Sequence, residues 1–493
     1  MGRGDLVSKH KERELECLLE RADRLFGNEE ALFDGNTSWS YSAYAAHVRR
    51  IAGVFSSHGY REGQRIALLG ETSLELIACW IACWRLGITC VPINTRLPRQ
   101  RAQELAKEVN CSLALVSYQY TATKGSWEAT PSLVIEEVFA SKNTRAHSIK
   151  TQSSMDATII FTSGSTGHPK AALHSLDNHL YSAMGAHENM PFGPGDRWLL
   201  SLPLYHVGGL AILVRALWGG GAVVFTDKER PLHEALTLDI THASMVATQL
   251  YRLLQHPEAL ASCKTTLKAI LVGGGAVPRE LLAQSHECGL PLCTTYGMTE
   301  LSSQLTTTAP GAPYEDWMTS GQLLPHRKLK LHDDGEIWAG GETLFRGYLT
   351  KDGLHDLRNE QGWFQTGDIG QVDEKGRLSV IGRKDNMFIS GGENIHPETI
   401  EQAFERLEGV IRALVVDRPD VEFGARPVVF VELEDGKTLE GLEWREQLTT
   451  HLARYQMPDA CYSWPEGEEY EALKPKRASF RRLAANLHLD LKS

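Results

Sequence analysis

Asp156-Ala157-Thr158-Ile159-Ile160-Phe161-Thr162, followed at once by Ser163-Gly164-Ser165-Thr166-Gly167-His168-Pro169-Lys170, is the stretch on which the reading of this chain turns. The first seven residues form a short apolar run with β-branched positions, the pattern of a buried strand. Behind them, two glycines let the backbone bend close to a polyanion, so that successive N–H groups can wrap its oxygens. The hydroxyls of Thr162, Ser163, Ser165 and Thr166 add donors, and Lys170 adds a positive charge. The Walker pattern is absent, because Lys170 follows a proline and no Gly-Lys-Ser/Thr occurs here. The expectation is a strand, a phosphate-binding loop, and a helix after Lys170.

The flanking sequence extends the pattern. YSAYAAHVRRIAGVFSSHG from Tyr41 reads as an amphipathic helix, RIALLG from Arg65 as a strand, SLELIACWIACWRLG from Ser73 as a buried helix, and ITCVPIN from Ile88 as another strand. WLLSLPL, GGAVVF, SMVAT, KAILVGG and PLCTTYG continue the series to about residue 300. Strands that alternate with helices at this spacing predict a parallel, doubly wound sheet covered on both faces. Beyond about residue 320, KLKLHDDGEIWAGG and GRLSVIG read as antiparallel strands joined at Asp-Gly and Lys-Gly turns. The polar residues Arg383-Lys384-Asp385 separate two apolar strands, which places a domain boundary there and a small α+β module after it.

Bulk properties bound the function. At 493 residues the chain exceeds one hydrophobic core, so at least two domains are expected. A net charge of −11 argues against a nucleic-acid backbone or an anionic membrane as the main partner. No run of about 20 apolar residues predicts a membrane span. The N-terminal MGRGDLVSKHKEREL is charged, without the apolar centre of an export signal, and Leu6 breaks the myristoylation pattern. Nine scattered cysteines without a CxxC pair predict reduced thiols and a cytoplasmic location. Cys79 and Cys83 share one face of an apolar helix and read as buried small hydrophobes.

Further motifs follow in a fixed order: Gly273-Gly274-Gly275-Ala276-Val277-Pro278, Tyr296-Gly297-Met298-Thr299-Glu300, Trp363-Phe364-Gln365-Thr366-Gly367-Asp368, and Arg383. With the Thr162–Lys170 segment, this series resembles the superfamily of acyl-CoA synthetases, luciferases and peptide-synthetase adenylation domains, over nearly the whole chain from about residue 30. The resemblance implies a large N-terminal domain of doubly wound sheets plus a small β-barrel (residues 1–384) and a small mobile C-terminal α+β domain (385–493). It implies that Thr162, Ser163, Gly164, Ser165, Thr166, Gly167 and Lys170 hold the β- and γ-phosphates of ATP. Gly274, Gly275 and Ala276 would then form the adenine turn. Tyr296 and Gly297 would lie against the base, Thr299 on the α-phosphate and Glu300 on Mg²⁺. Asp368 would accept the ribose diol, Arg383 would add a ribose or phosphate contact, and Asp385 would be the hinge.

The family's C-terminal Gly-Lys-x-x-Arg is irregular here, as Leu473-Lys474-Pro475-Lys476-Arg477-Ala478-Ser479-Phe480-Arg481, without the glycine. Lys476 is the expected catalytic lysine, because Lys474 is restricted by the proline after it. Its role is to stabilise charge on the pentavalent phosphorus.

Ser201-Leu202-Pro203-Leu204-Tyr205-His206-Val207-Gly208-Gly209-Leu210 resembles the family segment in which an aromatic-His pair gates the acid pocket, with His206 at the end of an apolar strand. A core histidine bonded to backbone is the alternative for His206. Nine residues on, Arg215 stands in the apolar run LAILVRALW and needs an anion: an internal carboxylate or an acidic group of the substrate. No Asp lies between Leu202 and Trp218, which disfavours an amino-acid substrate. An Arg at this spacing is similar to that in the o-succinylbenzoate–CoA ligase family of menaquinone synthesis. That resemblance implies an aromatic carboxylic acid, ATP and coenzyme A as the small-molecule partners, with no nucleic acid and no membrane insertion. Another aryl- or medium-chain acyl-CoA ligase is the alternative.

Overall fold

The computed structural model describes residues 17–141, 154–162, 169–227, 229–390, 393–420, 423–449, 451–467 and 477–490. Among these, the strands form two large sheets and three smaller ones. The eight-stranded sheet runs Gly353–His355, Gly347–Thr350, Lys170–Ser175, Asp156–Thr162, Thr89–Pro92, Arg65–Leu69, Leu113–Val116, Ser132–Val134. From Asp156–Thr162 to Ser132–Val134 all pairings are parallel. In the nine-stranded sheet, Leu292–Met298, Ala269–Val272, His242–Met245, Arg197–Leu199, Ala222–Val224 and Glu30–Phe33 are parallel neighbours, with antiparallel strands at both edges. The doubly wound expectation is borne out.

Two helices that are apolar all round explain how the sheets come together. Leu74–Arg85 and Val207–Gly219 are buried along nearly their whole length and share one core with residues of both sheets. A helix with no polar face has to be covered on every side. Trp80 and Trp198 are fully buried in that core. At roughly 25 cal/mol per Å², an indole burying about 200 Å² contributes about 5 kcal/mol before entropy is counted. Ser73 caps the first of these helices by accepting from the Leu76 N–H at 3.2 Å.

The segment after Lys170 departs from expectation. Lys170–Ser175 is a strand, antiparallel to Asp156–Thr162, and the helix starts only at Leu176. Ala171 to Ser175 are buried, so a ladder with the preceding strand satisfies their backbone in the core. The helix waits for Ser175, which forms a capping box with Asn178. His206 departs as well. The strand before it ends at Leu199, and His206 is the N-cap of the helix Val207–Gly219.

Arg327–Leu331, Glu336–Gly341, Phe364–Val372 and Leu378–Arg383 form a four-stranded antiparallel sheet, an open half-barrel. Its hairpins turn at the predicted Asp-Gly and Lys-Gly positions. After the single turn Lys384–Asn386, a three-stranded sheet of Val410–Asp420, Gly424–Leu433 and Ala460–Ser463 is packed by the helices Pro397–Phe404 and Arg477–Asp490. Cys79, Cys83 and Cys90 are buried, and burial pushes the Cys79 and Cys90 thiols up. Among the described residues no helix is long and apolar enough to cross a membrane.

Candidate active site

Most candidate nucleotide residues lie at strand ends or opposite one another in a ladder. Gly274, Gly275 and Ala276 follow the strand Ala269–Val272 and are exposed. Gly274 has φ +82°, which an L side chain adopts at a cost, and an added Cβ at Gly275 would meet nothing within 4 Å. The turn therefore offers bare backbone to a flat base. Tyr296 and Gly297 are on the last residues of Leu292–Met298, and Thr299–Leu301 is a single 3₁₀ turn directly after it. A Cβ at Gly297 would come 1.8 Å from the Ser303 carbonyl oxygen, so only glycine lets the two strands approach here.

Asp368 and Arg383 are register partners in the half-barrel sheet. Arg383 Nη1 donates to Asp368 Oδ1 at 3.0 Å and to the Thr366 carbonyl at 2.9 Å, while its Nη2 donates to Asp385 Oδ2 at 3.3 Å. The Tyr296 hydroxyl donates to the other Asp368 oxygen, Oδ2, at 2.5 Å. The structure thus joins Tyr296, Asp368, Arg383 and Asp385 in one network across the two sheets and the turn Lys384–Asn386. Burial raises the Asp368 pKa although Tyr296 and Arg383 both oppose it, and burial raises that of the Tyr296 hydroxyl. A carboxylate has about four lone-pair sites, so Asp368 keeps capacity for a diol beyond these two bonds.

Thr162 and Lys170 face each other in register, while Ser163, Gly164, Ser165, Thr166 and Gly167 lie outside the described residues. Lys170 Nζ sits 5.1 Å above the Tyr348 ring, and the Tyr348 hydroxyl donates to Glu300 Oε1. Glu300 is buried, unlike the surface Glu that would be its default. Under the same turn, His174 Nε2 donates to the Thr299 carbonyl at 2.7 Å. Burial lowers the His174 pKa to about 4, against this bond, so the ring is neutral near pH 7. Sequence reading assigned no role to Tyr348 or His174; pairing of Tyr348 with Ala172 brings their strands together. Among the described residues no group of three or more His, Cys, Asp or Glu could hold a metal. Glu300 alone suits Mg²⁺, which takes one or two carboxylates and fills its remaining sites with phosphate and water oxygens.

The Tyr205 and His206 rings meet edge-on with centroids 4.7 Å apart. Tyr205 also borders an open cleft whose walls include Leu68, Glu71, Trp80, Ile93 and Pro203. Arg215 is not beside His206. Nine residues of helix put it about 13.5 Å further along the axis and roughly half a turn round. It is buried at 3% exposure, with its guanidinium 4.9 Å from the Trp198 ring centroid. Its Nη2 donates to Gln304 Oε1 at 2.5 Å, and its Nε has no partner. Among the described residues no carboxylate pairs with it, so of the two anions considered for Arg215 the internal one is not found there. Burial lowers its pKa to about 10, which still leaves it charged at neutral pH.

Lys474 and Lys476 lie outside the described residues. The next residue, Arg477, opens the last helix and is bonded to Glu398 at 3.1 Å and to Glu401 at 2.6 Å.

Two wound sheets, a half-barrel and a small C-terminal module define the class of enzymes that join an acid to AMP. The family model for AMP-binding enzymes matches residues 19–349, and the chain belongs to that family. The relatives narrow it. The chain is 35% identical over 444 residues to 2-succinylbenzoate–CoA ligase of Salmonella typhimurium strain LT2, covering 90% of this chain and 92% of the relative. It is also 35% identical over 436 residues to the enzyme of that name from Escherichia coli K12, covering 88% and 91%. Among solved structures it is similar to o-succinylbenzoate CoA synthetase from Bacillus subtilis in complex with the acyl-adenylate intermediate. That match has a TM-score of 0.83 at 26% identity and covers 95% of this chain and 98% of that one. The Bacillus subtilis enzyme in complex with ATP and magnesium ion matches with a TM-score of 0.82 at 27% identity, over 93% and 98%.

Proposed function

We propose that this chain is an ATP-dependent acid–CoA ligase that converts o-succinylbenzoate to o-succinylbenzoyl-CoA in menaquinone biosynthesis. In the first step an oxygen of one carboxylate of the acid attacks the α-phosphorus of ATP, and the bond to pyrophosphate breaks. Lys476 and Thr299 stabilise charge on that phosphorus, while the Thr162–Lys170 segment holds the β- and γ-phosphates. Glu300 would hold Mg²⁺, which would supply positive charge to the phosphates when bound. The base lies on Gly274–Ala276 beside Tyr296 and Gly297, and Asp368 with Arg383 takes the ribose. In the second step the coenzyme A sulfur attacks the acyl carbon and AMP leaves with the bonding pair. The portion from 385 onward turns about Asp385 between the two steps, and the His206 ring gates the acid. No step needs a protein thiol. Nine free cysteines suit a cytoplasmic enzyme.

The observation that carries the choice of acid is the buried Arg215 guanidinium with no carboxylate partner among the described residues. o-Succinylbenzoate has two carboxylates, and the one not activated supplies the missing anion. A charge-assisted contact of about 1.5–3 kcal/mol corresponds to a roughly 10- to 150-fold effect. Arg215→Ala should lower kcat/KM for o-succinylbenzoate by that factor, read as coenzyme A-dependent AMP formation, and change turnover of a monocarboxylic analogue little. Equal loss on both acids together with a lower Tm would refute the reading.

A further inference from the structure

Gln304 links Arg215 to the strand that carries the Tyr296–Glu300 motif. It is buried on the strand Ser303–Thr307, in register opposite Gly297 of the Tyr296–Glu300 motif. The chemistry of the partners fixes the direction of both Gln304 side-chain bonds. Arg215 can only donate, so the amide oxygen Oε1 faces it at 2.5 Å. The amide nitrogen Nε2 must then donate, and it does so to Thr307 Oγ1 at 2.7 Å. Thr307 Oγ1 is 2.8 Å from Thr295 Oγ1, next to Tyr296 in sequence. The backbone carbonyl of Gln304 accepts from Arg327 Nε at 2.6 Å.

Arg327 is itself buried, and its other guanidinium bonds go to the Pro325 carbonyl at 2.6 Å, the Ser182 carbonyl at 3.1 Å and Ser182 Oγ at 3.2 Å. None of these oxygens carries a charge. Two guanidiniums thus converge on one neutral residue, one on its side chain and one on its backbone. A carboxylate in place of the amide would neutralise Arg215 from within. The amide instead orients the guanidinium and leaves its charge for a ligand.

We infer that Gln304 is a positioning residue which, through Arg215, sets the enzyme's preference for an acid bearing a second carboxylate. The inference rests on the reading of Arg215 proposed above. Its geometric content is that the amide oxygen fixes Nη2, and so the plane of the guanidinium fork. Arg327 fixes the strand that carries the amide.

The test is a cycle of four full-length enzymes: wild type, Arg215→Ala, Gln304→Glu and the double variant. Each is assayed for AMP formation with o-succinylbenzoate and with a monocarboxylic analogue of similar size. Glutamate keeps the length of the side chain, accepts from Arg215, and can accept from the Thr307 hydroxyl. Gln304→Glu should cut the preference for the dicarboxylic acid by about 10-fold or more, chiefly through KM. The double variant should be no less selective than Arg215→Ala alone, because a residue acting through Arg215 has no effect once Arg215 is gone. If Gln304→Glu folds poorly, Gln304→Met retains the length without the amide and should show a weaker loss of the same sign. An unchanged preference in both Gln304 variants, with Arg215→Ala losing it, would overturn the role of Gln304 and leave that of Arg215 standing. Additive losses in the double variant would also overturn it. A wild-type preference that survives Arg215→Ala would refute the reading beneath.

Discussion

Replacing His174 with glutamine should make the protein less sensitive to acid. The ring is fully buried beneath the Thr299–Leu301 turn, and Nε2 donates to the Thr299 carbonyl at 2.7 Å. Burial holds its pKa at about 4, against about 6.5 for an imidazole in an unfolded chain. Between those two values the unfolded chain binds a proton that the folded protein does not. Stability therefore falls as pH drops through that window and is fully present above it. At pH 5 the unfolded imidazole is almost wholly protonated and the folded one about a tenth, a difference worth about 2 kcal/mol relative to pH 8. Glutamine at 174 keeps an N–H for the Thr299 carbonyl but binds no proton. Urea unfolding at pH 8 and pH 5, followed by tryptophan fluorescence, should show the variant losing about 2 kcal/mol less than wild type between the two. Equal losses within about 0.5 kcal/mol would refute the argument, as would an imidazole at 174 that titrates near pH 6.5 by NMR.

Gly297→Ala places a methyl 1.8 Å from the Ser303 carbonyl, so the strand Ser303–Thr307 must shift. Overpacking of this kind costs about 1–3 kcal/mol or more, and both half-reactions should fall with the Tm; a variant with wild-type Tm and kinetics would contradict the packing. Lys476→Ala should abolish acyl-AMP formation from acid and ATP yet spare thioester formation from supplied acyl-AMP. Equal loss of both would remove Lys476 from its assigned step, and loss only in Lys474→Ala would transfer it.

Local patterning carried most of the architecture. Period and turn chemistry in RIALLG, SLELIACWIACWRLG and KLKLHDDGEIWAGG give their elements directly, because each buries or exposes residues at its own repeat. What failed locally was decided by pairing. KAALHS after Lys170 has no period that excludes a helix, and only the neighbouring strand Asp156–Thr162 makes it a ladder. His206 follows an apolar run, but the strand ends at Leu199 where its neighbour in the sheet ends. Arg215 was legible as a buried charge needing an anion. Its actual partner, Gln304, is 89 residues away and neutral, and nothing in LAILVRALW points to it. Tyr348 and His174 were invisible for the same reason: a lone Tyr or His acquires meaning only from the carboxylate or carbonyl it meets.

The distribution of compensated charge distinguishes the two ends of the site. Asp368 and Glu300, at the nucleotide end, each accept from a tyrosine hydroxyl, Tyr296 and Tyr348. Burial together with the adjacent carboxylate raises both phenols, so each stays a neutral donor. Tyr348 orients Glu300 without placing a positive charge on it, which suits a group that must face a cation, while Asp368, paired also with Arg383, keeps lone pairs for a diol. Arg215 and Arg327 show the converse: two buried cations whose hydrogen bonds, apart from one to an amide side chain and one to a hydroxyl, end on backbone carbonyls. Burial lowers Arg327 to about 9, with the Arg215 charge adding to the effect, so the two raise each other's cost as long as no anion is present. An acid whose second carboxylate reaches this pair relieves that cost, whereas a monocarboxylic acid of the same shape leaves it in place. On the proposed reading of Arg215, selectivity for the dicarboxylic acid would come as much from the unrelieved charge as from the contact itself.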